Sequence, residues 1–135
     1  MTDEEILSHI DHTLLKAVSS WAEIEKLCTE AIRFKTASVC VPPSYVKPIR
    51  SAFGDGLVVC TVIGFPLGYS ATEAKLAEVR QALADGCDEF DMVINITWAK
   101  NGGAPTLSCL NSPARWKSPT RPNRCPSPAA RSGRG

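Results

Sequence analysis

The stretch GCDEFDMVINI, residues 86–96, decides the fold of this chain. A glycine opens it, and from position 89 the residues alternate in polarity as those of a β-strand do. Asp91 and Asn95 share one face of that strand, whereas Phe90 and three further apolar residues share the other. Central strands of open α/β sheets are usually apolar on both faces. Small polar groups on one face therefore favour the inside of a closed barrel, close to its catalytic mouth.

The residues before this stretch repeat an alternation of strands and helices. Strands are predicted over 9–15, 37–41, 57–64 and 89–96, with helices from 20, over 45–53 and over 70–84. Four strands joined by three helices predict right-handed βαβ units and a parallel sheet. This pattern fits an open doubly wound sheet or a closed barrel, and the polar strand face favours the barrel.

Two of the helices carry sequence signals for their first turn and for their buried face. Ser20 with Glu23, and Ser70 with Glu73, have the spacing of capping boxes. The apolar stripe expected to be buried in the first helix consists of Ile24, Leu27, Cys28, Ala31 and Ile32. The corresponding stripe in the helix over 70–84 consists of Leu76, Val79 and Leu83.

The charge of the chain changes abruptly after Asp91. All 14 Asp and Glu residues lie at or before this position, whereas residues 92–135 carry 7 of the 15 Lys and Arg residues. Residues 103–135 are rich in Pro, Ser and Arg, and Trp116 is their only aromatic residue. A segment of this composition buries too little apolar surface to offset the entropy of ordering it. We therefore predict a folded unit over 1–102 and a disordered basic tail over 103–135.

Two explanations of the basic tail differ in what they imply for function. In one, the chain is a non-catalytic truncated βα scaffold whose tail binds nucleic acid through phosphate contacts. The tail, however, contains little aromatic interleaving and no nucleic-acid-binding motif, which argues against that partner. Out-of-frame translation of a GC-rich coding sequence gives a similar composition. We therefore expect that a frameshift replaced the second half of the protein.

Cysteine and histidine usage gives little support to a metal centre. The chain contains six cysteines but no CxxC pair, and no leader or membrane span is evident. We expect a soluble cytoplasmic protein with reduced thiols. His9 and His12 are three residues apart, a spacing that on a strand directs the two side chains to opposite faces and argues against a metal pair.

Four segments in order resemble deoxyribose-phosphate aldolases, the DeoC-type class I aldolase family. They are IDHTLLKA (10–17), ASVCVPPSYV (37–46), VCTVIGFPLG (59–68) and GCDEFDMVINI (86–96). The resemblance runs through most of residues 5–102 and implies the first four βα units of a TIM (β/α)8 barrel. It also implies reversible cleavage of 2-deoxy-D-ribose 5-phosphate to D-glyceraldehyde 3-phosphate and acetaldehyde through a lysine Schiff base, with no cofactor.

The resemblance also implies roles for individual residues. Asp91 matches the family's proton-relay aspartate, which moves protons to and from the covalent intermediates. Asp11 and Thr13 match positions near the hydroxyl-bearing part of the substrate. Cys40 and Phe65 match positions that line the pocket. The implied partner is a small phosphosugar, and a homo-oligomer is compatible with the family.

The lysine that forms the Schiff base belongs, in the family, to a later segment resembling KTSTGF, which this sequence does not contain. Lys16, at the end of the first predicted strand, is the only lysine expected near the mouth, and a solvated lysine stays protonated. We therefore expect residues 1–135 to be inactive alone. Dimerisation of two half-barrels is an alternative that would still lack this lysine.

Overall fold

A computed structural model of the protein describes residues 2–101. The elements are α1 (Asp3–Leu7), β1 (Asp11–Thr13), α2 (Trp21–Phe34), β2 (Ser38–Val41), a 3-10 turn (Pro43–Tyr45), α3 (Val46–Phe53), β3 (Val59–Ile63), α4 (Thr72–Ala84), β4 (Glu89–Met92) and α5 (Ile96–Lys100). The disordered tail predicted over 103–135, with its nucleic-acid alternative, lies outside the described residues. No helix within 2–101 combines the length and the apolar character needed to cross a membrane.

The four strands form one parallel sheet in the order β1-β2-β3-β4. A doubly wound sheet reverses its strand order at a switch point, whereas a TIM barrel adds each new strand beside the previous one. The observed order therefore decides between the two predicted architectures. The prediction of successive parallel βα units of a barrel is confirmed.

Helices α2, α3 and α4 cover one face of the sheet, which we call the outer face. Its core contains fully buried strand residues, among them Val39, Val59 and Ile63, together with Ile24 of α2 and Ile49 of α3. Each such side chain contributes about 1.5–3 kcal/mol of transfer free energy when it leaves water. The outer face therefore supplies most of the hydrophobic stabilisation of the described fold.

Helix α2 follows its sequence prediction closely. The Ser20 hydroxyl accepts a hydrogen bond from the Glu23 amide, and the Glu23 carboxylate accepts one from the Ser20 amide at 2.7 Å, so the capping box is confirmed. Ile24, Leu27, Cys28 and Ala31 are buried as expected, but Ile32 is 46% exposed. At about 100° per residue Ile32 lies about 80° from Ile24 around the helix, at the edge of the buried stripe.

Helix α4 departs from its prediction at both its start and its buried face. The helix begins at Thr72 after Ala71, and no side chain caps it. The capping box predicted for Ser70 and Glu73 is wrong, because the observed start moves serine one residue outside the capping position. The predicted inner residue Leu76 is exposed, whereas Lys75 is buried on the side that faces the sheet.

The strands are shorter than their sequence patterns suggested. β4 ends at Met92 rather than at position 96, and the Asn95 side chain instead accepts a hydrogen bond from the Trp98 amide at the start of α5. The assignment of Asn95 to the strand's polar face is therefore wrong, because an asparagine caps a helix more favourably than it pairs in a strand. Helix α1 was not predicted, although Thr2 and Glu5 have the spacing of a capping box.

Candidate active site on the inner face of the sheet

The face of the sheet opposite the helices, here called the inner face, carries the polar residues of the alternating strands. Its three rungs, defined by strand pairing, are Asp11 with Ser38, then Thr13 with Cys40, Cys60 and Glu89, then Val62 with Asp91. Aligned residues of parallel strands direct their side chains to the same side. The inner face therefore gathers carboxyl, hydroxyl and thiol groups on a small apolar base of Cys40, Cys60, Val62 and Leu15.

Asp91 lies near the carboxyl end of β4, on the third rung of the inner face. Its side chain is exposed, and its Oδ2 atom accepts a hydrogen bond from the Cys40 thiol across 3.6 Å. Cys40 itself is almost completely buried beneath it. A carboxylate placed over a buried thiol and open toward the barrel interior can exchange protons with a molecule bound there.

Cys60 lies beside Cys40 on the next strand and is also buried. A hydrogen bond with Cys40, burial and the nearby Asp91 carboxylate all raise the pKa of the Cys60 thiol. Only a thiolate is a strong nucleophile, so Cys60 is unreactive in this environment. The two sulfur atoms and an Asp91 oxygen lie within 4.8 Å of one another.

Asp11 and Thr13 lie on the same face but on lower rungs than Asp91. The Ser38 hydroxyl donates a hydrogen bond to Asp11 Oδ1 at 2.6 Å, and the Thr13 hydroxyl donates to the Asp11 backbone carbonyl at 2.8 Å. The structure therefore distributes the predicted site residues along the inner face. Cys40, Cys60 and Asp91 form a compact group, whereas Asp11 and Thr13 lie on the lower rungs.

Phe65 lies in the loop after β3, at the same end of the sheet as Asp91, and is 49% exposed. The loop comes very close to the chain after β4. A Cβ atom added to Gly68, which has a φ of 68°, would lie 1.9 Å from the Ile94 carbonyl oxygen. Only glycine therefore allows this approach, which holds the loop beside the end of β4.

Lys75 of α4 joins the same two loops and was not predicted to do so. Its Nζ atom donates hydrogen bonds to the Gly68 carbonyl at 2.6 Å and to the Val93 carbonyl at 2.7 Å. Burial lowers the pKa of Lys75. A lysine in an amphipathic helix is usually a solvated residue, so the sequence pattern gave no sign of this internal position.

Arg50 of α3 also binds backbone carbonyls, at the opposite end of the strands from Lys75. Its guanidinium donates to the carbonyls of Gly86 and Leu57 at 2.6 and 2.8 Å and pairs with Asp88. Asp88 in turn accepts a hydrogen bond from the Val59 amide. These contacts fix the entries to β3 and β4, at the barrel end that stabilises the fold rather than binds substrate.

The remaining sequence candidates lie apart from the inner-face group. His9 Nδ1 contacts the Glu5 carbonyl oxygen at 2.7 Å, whereas His12 Nε2 contacts the Glu30 carboxylate at 3.0 Å. The hydrogen bond from His12 lowers the pKa of Glu30. The two histidines thus have separate partners, and His9 lies before β1 rather than on the predicted strand. Lys16 is exposed.

Comparison with known proteins connects this geometry to an enzyme family. No protein-family model matches the chain. The curated deoxyribose-phosphate aldolase of Clostridium botulinum is 56% identical over 101 residues, and that of Streptococcus pyogenes is 47% identical over 107 residues. This chain matches the N-terminal part of the deoxyribose-phosphate aldolases. It spans about half the length of these relatives, 46% and 48%, although the matches cover 75% and 79% of the chain itself.

A solved structure agrees with the sequence matches. The tetrameric deoxyribose phosphate aldolase of Aeropyrum pernix superimposes with a TM-score of 0.68 at 29% identity, over 80% of this chain and 49% of that one. The described fold therefore matches four successive βα units, about half, of the barrel of this aldolase.

Proposed function

We propose that residues 1–102 form the N-terminal half of a deoxyribose-phosphate aldolase barrel and contribute the proton relay of its reaction. The reaction is the reversible cleavage of 2-deoxy-D-ribose 5-phosphate to D-glyceraldehyde 3-phosphate and acetaldehyde. The observation that carries this proposal is the position of Asp91, on the inner face at the carboxyl end of β4. In TIM barrels that end of the strands holds the catalytic groups.

The chemistry requires a lysine amine that attacks the aldehyde and a separate group that moves protons. Asp91 suits the second task because its carboxylate is exposed on the inner face while Cys40 supports it from below. In its protonated form, the Asp91 carboxyl group can give its proton to the hydroxyl that leaves as water when the Schiff base forms. It can then take the proton back when water enters to release the product.

We assign substrate-positioning roles to four further residues of the same face or its rim. Asp11 is held by Ser38 and Thr13 lies one rung nearer Asp91, so these two can bind hydroxyl groups of an open-chain sugar. Cys40 forms the floor beneath Asp91. Phe65 stands in the loop at the mouth, where its exposed ring can cover the substrate.

We further propose that residues 1–135 do not catalyse the reaction by themselves. The amine that forms the Schiff base belongs to the second half of the family's barrel, and no segment of this sequence resembles KTSTGF. Lys75, the one lysine that the described structure buries, points its amine at two backbone carbonyls and not at the inner face. It therefore does not replace the missing amine.

The test compares the 135-residue chain with a fusion protein. The fusion joins residues 1–101 of this chain to the remaining C-terminal part of the Clostridium botulinum relative, which restores a whole barrel. Both proteins are treated with acetaldehyde and borohydride, which reduces a Schiff base to a stable ethyl adduct that peptide mass spectrometry locates. Cleavage of 2-deoxy-D-ribose 5-phosphate is measured in parallel.

We expect the fusion to cleave the sugar phosphate and to carry one stoichiometric adduct on a lysine of its C-terminal part. The 135-residue chain should give neither result. A folded fusion without cleavage activity would contradict the assignment of the inner face to this reaction. A single stoichiometric adduct on the 135-residue chain would contradict its proposed inactivity.

Location and self-association belong to the same proposal. Cys28, Cys40, Cys60 and Cys87 are all free thiols, which agrees with the reducing cytoplasm as the place where this chain would act. The relative from Aeropyrum pernix is a tetramer. Sedimentation of the fusion protein would show whether the N-terminal half supports the same association of identical barrels.

A further inference from the structure

Helix α4 contributes two charged side chains to the loop that carries Phe65. This loop has the sequence GFPLG, residues 64–68, and lies between β3 and α4. We propose that Lys75 and Glu78 are positioning residues of the aldolase site, which hold the GFPLG loop so that Phe65 covers the bound sugar phosphate. The proposal rests on the proposed function, because it requires substrate on the inner face beside Phe65.

Lys75 holds the end of the GFPLG loop. Its Nζ atom donates hydrogen bonds to the Gly68 carbonyl at 2.6 Å and to the Val93 carbonyl at 2.7 Å. The residue is only 6% exposed, and a Cβ atom added to Gly64 would lie 2.7 Å from Lys75 Cε. The lysine chain therefore passes the first residue of the loop, binds the last one and joins it to the chain after β4.

Glu78 holds the start of the same loop. It lies one helical turn after Lys75, and its carboxylate accepts a hydrogen bond from the Gly64 amide at 2.6 Å. The Gly68 amide in turn donates to the Gly64 carbonyl at 2.8 Å, which joins the two ends of the loop. Phe65 lies between these ends and is half-exposed. Its place at the mouth therefore depends on how the backbone of the loop is held.

Asp91 is held by different contacts. It lies opposite Val62 in the pairing of β4 with β3, and the Val93 amide donates to the Ile63 carbonyl at 2.9 Å. These backbone contacts involve no atom of the Lys75 side chain. Loss of the lysine amine should therefore release the loop and leave the proton relay in place. The kinetic consequence is a higher KM with an unchanged kcat, the mark of lost binding that ground state and transition state share.

The lysine amine is the part of Lys75 that matters for this role. Lys75→Met keeps a flexible apolar chain of similar length and removes the donor. The Gly68 and Val93 carbonyls then need another partner, because a buried acceptor without a donor is costly. Water supplies that partner only if it enters between the loop and the chain after β4, which moves the loop outward.

The experiment measures steady-state cleavage of 2-deoxy-D-ribose 5-phosphate by the fusion protein described above. Phe65→Ala should raise KM by about tenfold, the contribution of one large apolar side chain that covers the substrate. Lys75→Met and Glu78→Ala should raise KM by up to the same factor, with kcat changed less than about twofold. A purely structural role would instead lower the fraction of folded enzyme, which lowers kcat and leaves KM unchanged.

The two α4 variants also separate positioning from a direct effect of charge. Lys75→Met removes a cation, whereas Glu78→Ala removes an anion. If these charges acted on the anionic substrate through space, KM should rise in the first variant and fall in the second. Positioning predicts a rise in both. Arg80→Met removes a cation from an exposed position of the same helix and should leave KM unchanged.

A double variant tests whether the lysine acts through the phenylalanine ring. Lys75→Met combined with Phe65→Ala should raise KM no further than Phe65→Ala alone. Independent effects that multiply to about a hundredfold would overturn the proposal. An unchanged KM in Glu78→Ala would also overturn it. Because Glu78 is exposed, this variant keeps the fold and decides the question should Lys75→Met unfold.

Hydrogen exchange distinguishes failure of this proposal from failure of the aldolase assignment, because it needs no activity. In the 135-residue chain, Lys75→Met should speed exchange of the amides of residues 64–68 and leave residues 86–88, at the opposite end of the strands, unchanged. Faster exchange together with a parent fusion that does not cleave the sugar phosphate would reject the aldolase assignment but not the holding of the loop. Unchanged exchange with an active parent fusion would overturn the role of Lys75 alone.

Discussion

The two faces of the same four-stranded sheet differ in what they carry. On the outer face Val59, Ile63 and their neighbours are fully buried under helices. On the inner face alternate residues of the same strands present Asp91 and Thr13, both exposed, above a thin layer that includes Cys40. Along each strand, residues that stabilise the fold on the outer face therefore alternate with residues that line the candidate site on the inner face.

The two ends of the sheet show a similar division. Arg50 binds backbone carbonyls and Asp88 where the chain enters β3 and β4. Lys75 binds backbone carbonyls where the chain leaves these strands. Only the second of these ends adjoins Asp91, so Lys75 holds the loops that frame the candidate site and Arg50 holds the base of the fold.

Substitution of two neighbouring valines gives the largest expected difference in stability between a buried outer-face position and an exposed one. Val59→Ala, on the outer face, should lower the free energy of unfolding by about 2–3 kcal/mol, from lost burial and the cavity left behind. Val58→Ala removes the same atoms from a residue that is 40% exposed and should cost less than about 1 kcal/mol. Urea unfolding followed by circular dichroism measures both, and equal losses would argue against the division.

Buried thiols on the helix-covered side predict loss of stability in alkaline solution. Burial raises the pKa of Cys28 from 9.0 to about 11, and the pKa of Cys87 rises to about 12 for the same reason. A folded pKa above the unfolded one gives stability that is fully present below pH 9 and is lost as the pH rises through the folded pKa.

For Cys28 alone, about 1.4 kcal/mol should be lost between about pH 8 and pH 10. Urea unfolding at both values, in the presence of a reductant, measures this loss, and Cys28→Ala should reduce it by that amount. A pH dependence that does not change in the variant would show that this thiol ionises equally well in the folded protein.

The helices that cover the outer face offer a matched pair of serines. Ser20→Ala removes the cap of α2 and should lower the free energy of unfolding by about 1 kcal/mol. Ser70→Ala should cost almost nothing, because α4 begins after Ala71 and no side chain caps it. A similar loss for both variants would indicate that Ser70 does cap α4 in solution.

The sequence predicted the features that depend on local periodicity. It did not predict the features that depend on contacts between distant parts of the chain. The capping box at Ser20 and the succession of parallel βα units follow from local spacing, whereas the order of the strands had to be read from the structure. The burial of Lys75 depends on two loop carbonyls contributed by other parts of the chain. Likewise, Cys40 and Cys60 were each assigned to strands, but only the register between these strands brings their sulfur atoms together.

The boundaries of elements show the same limit. The alternation from position 89 continues through Asn95, yet β4 ends at Met92 because Asn95 caps the next helix. A pattern of period two cannot show where pairing with a neighbouring strand stops. The inner-face position of Asp91 does not depend on these ends, since it lies within the paired part of β4.

Asp91 is proposed to serve the reaction and not the stability of the fold, and one pair of variants tests this division of roles. In the fusion protein, Asp91→Asn should lower the rate of sugar phosphate cleavage by about 10²–10⁴-fold and change the free energy of unfolding by less than about 0.5 kcal/mol. Asp55→Asn, at an exposed position away from the inner face, should change neither quantity. An Asp91→Asn fusion that cleaves as fast as its parent, or that loses activity only because it unfolds, would show that Asp91 is not the proton relay.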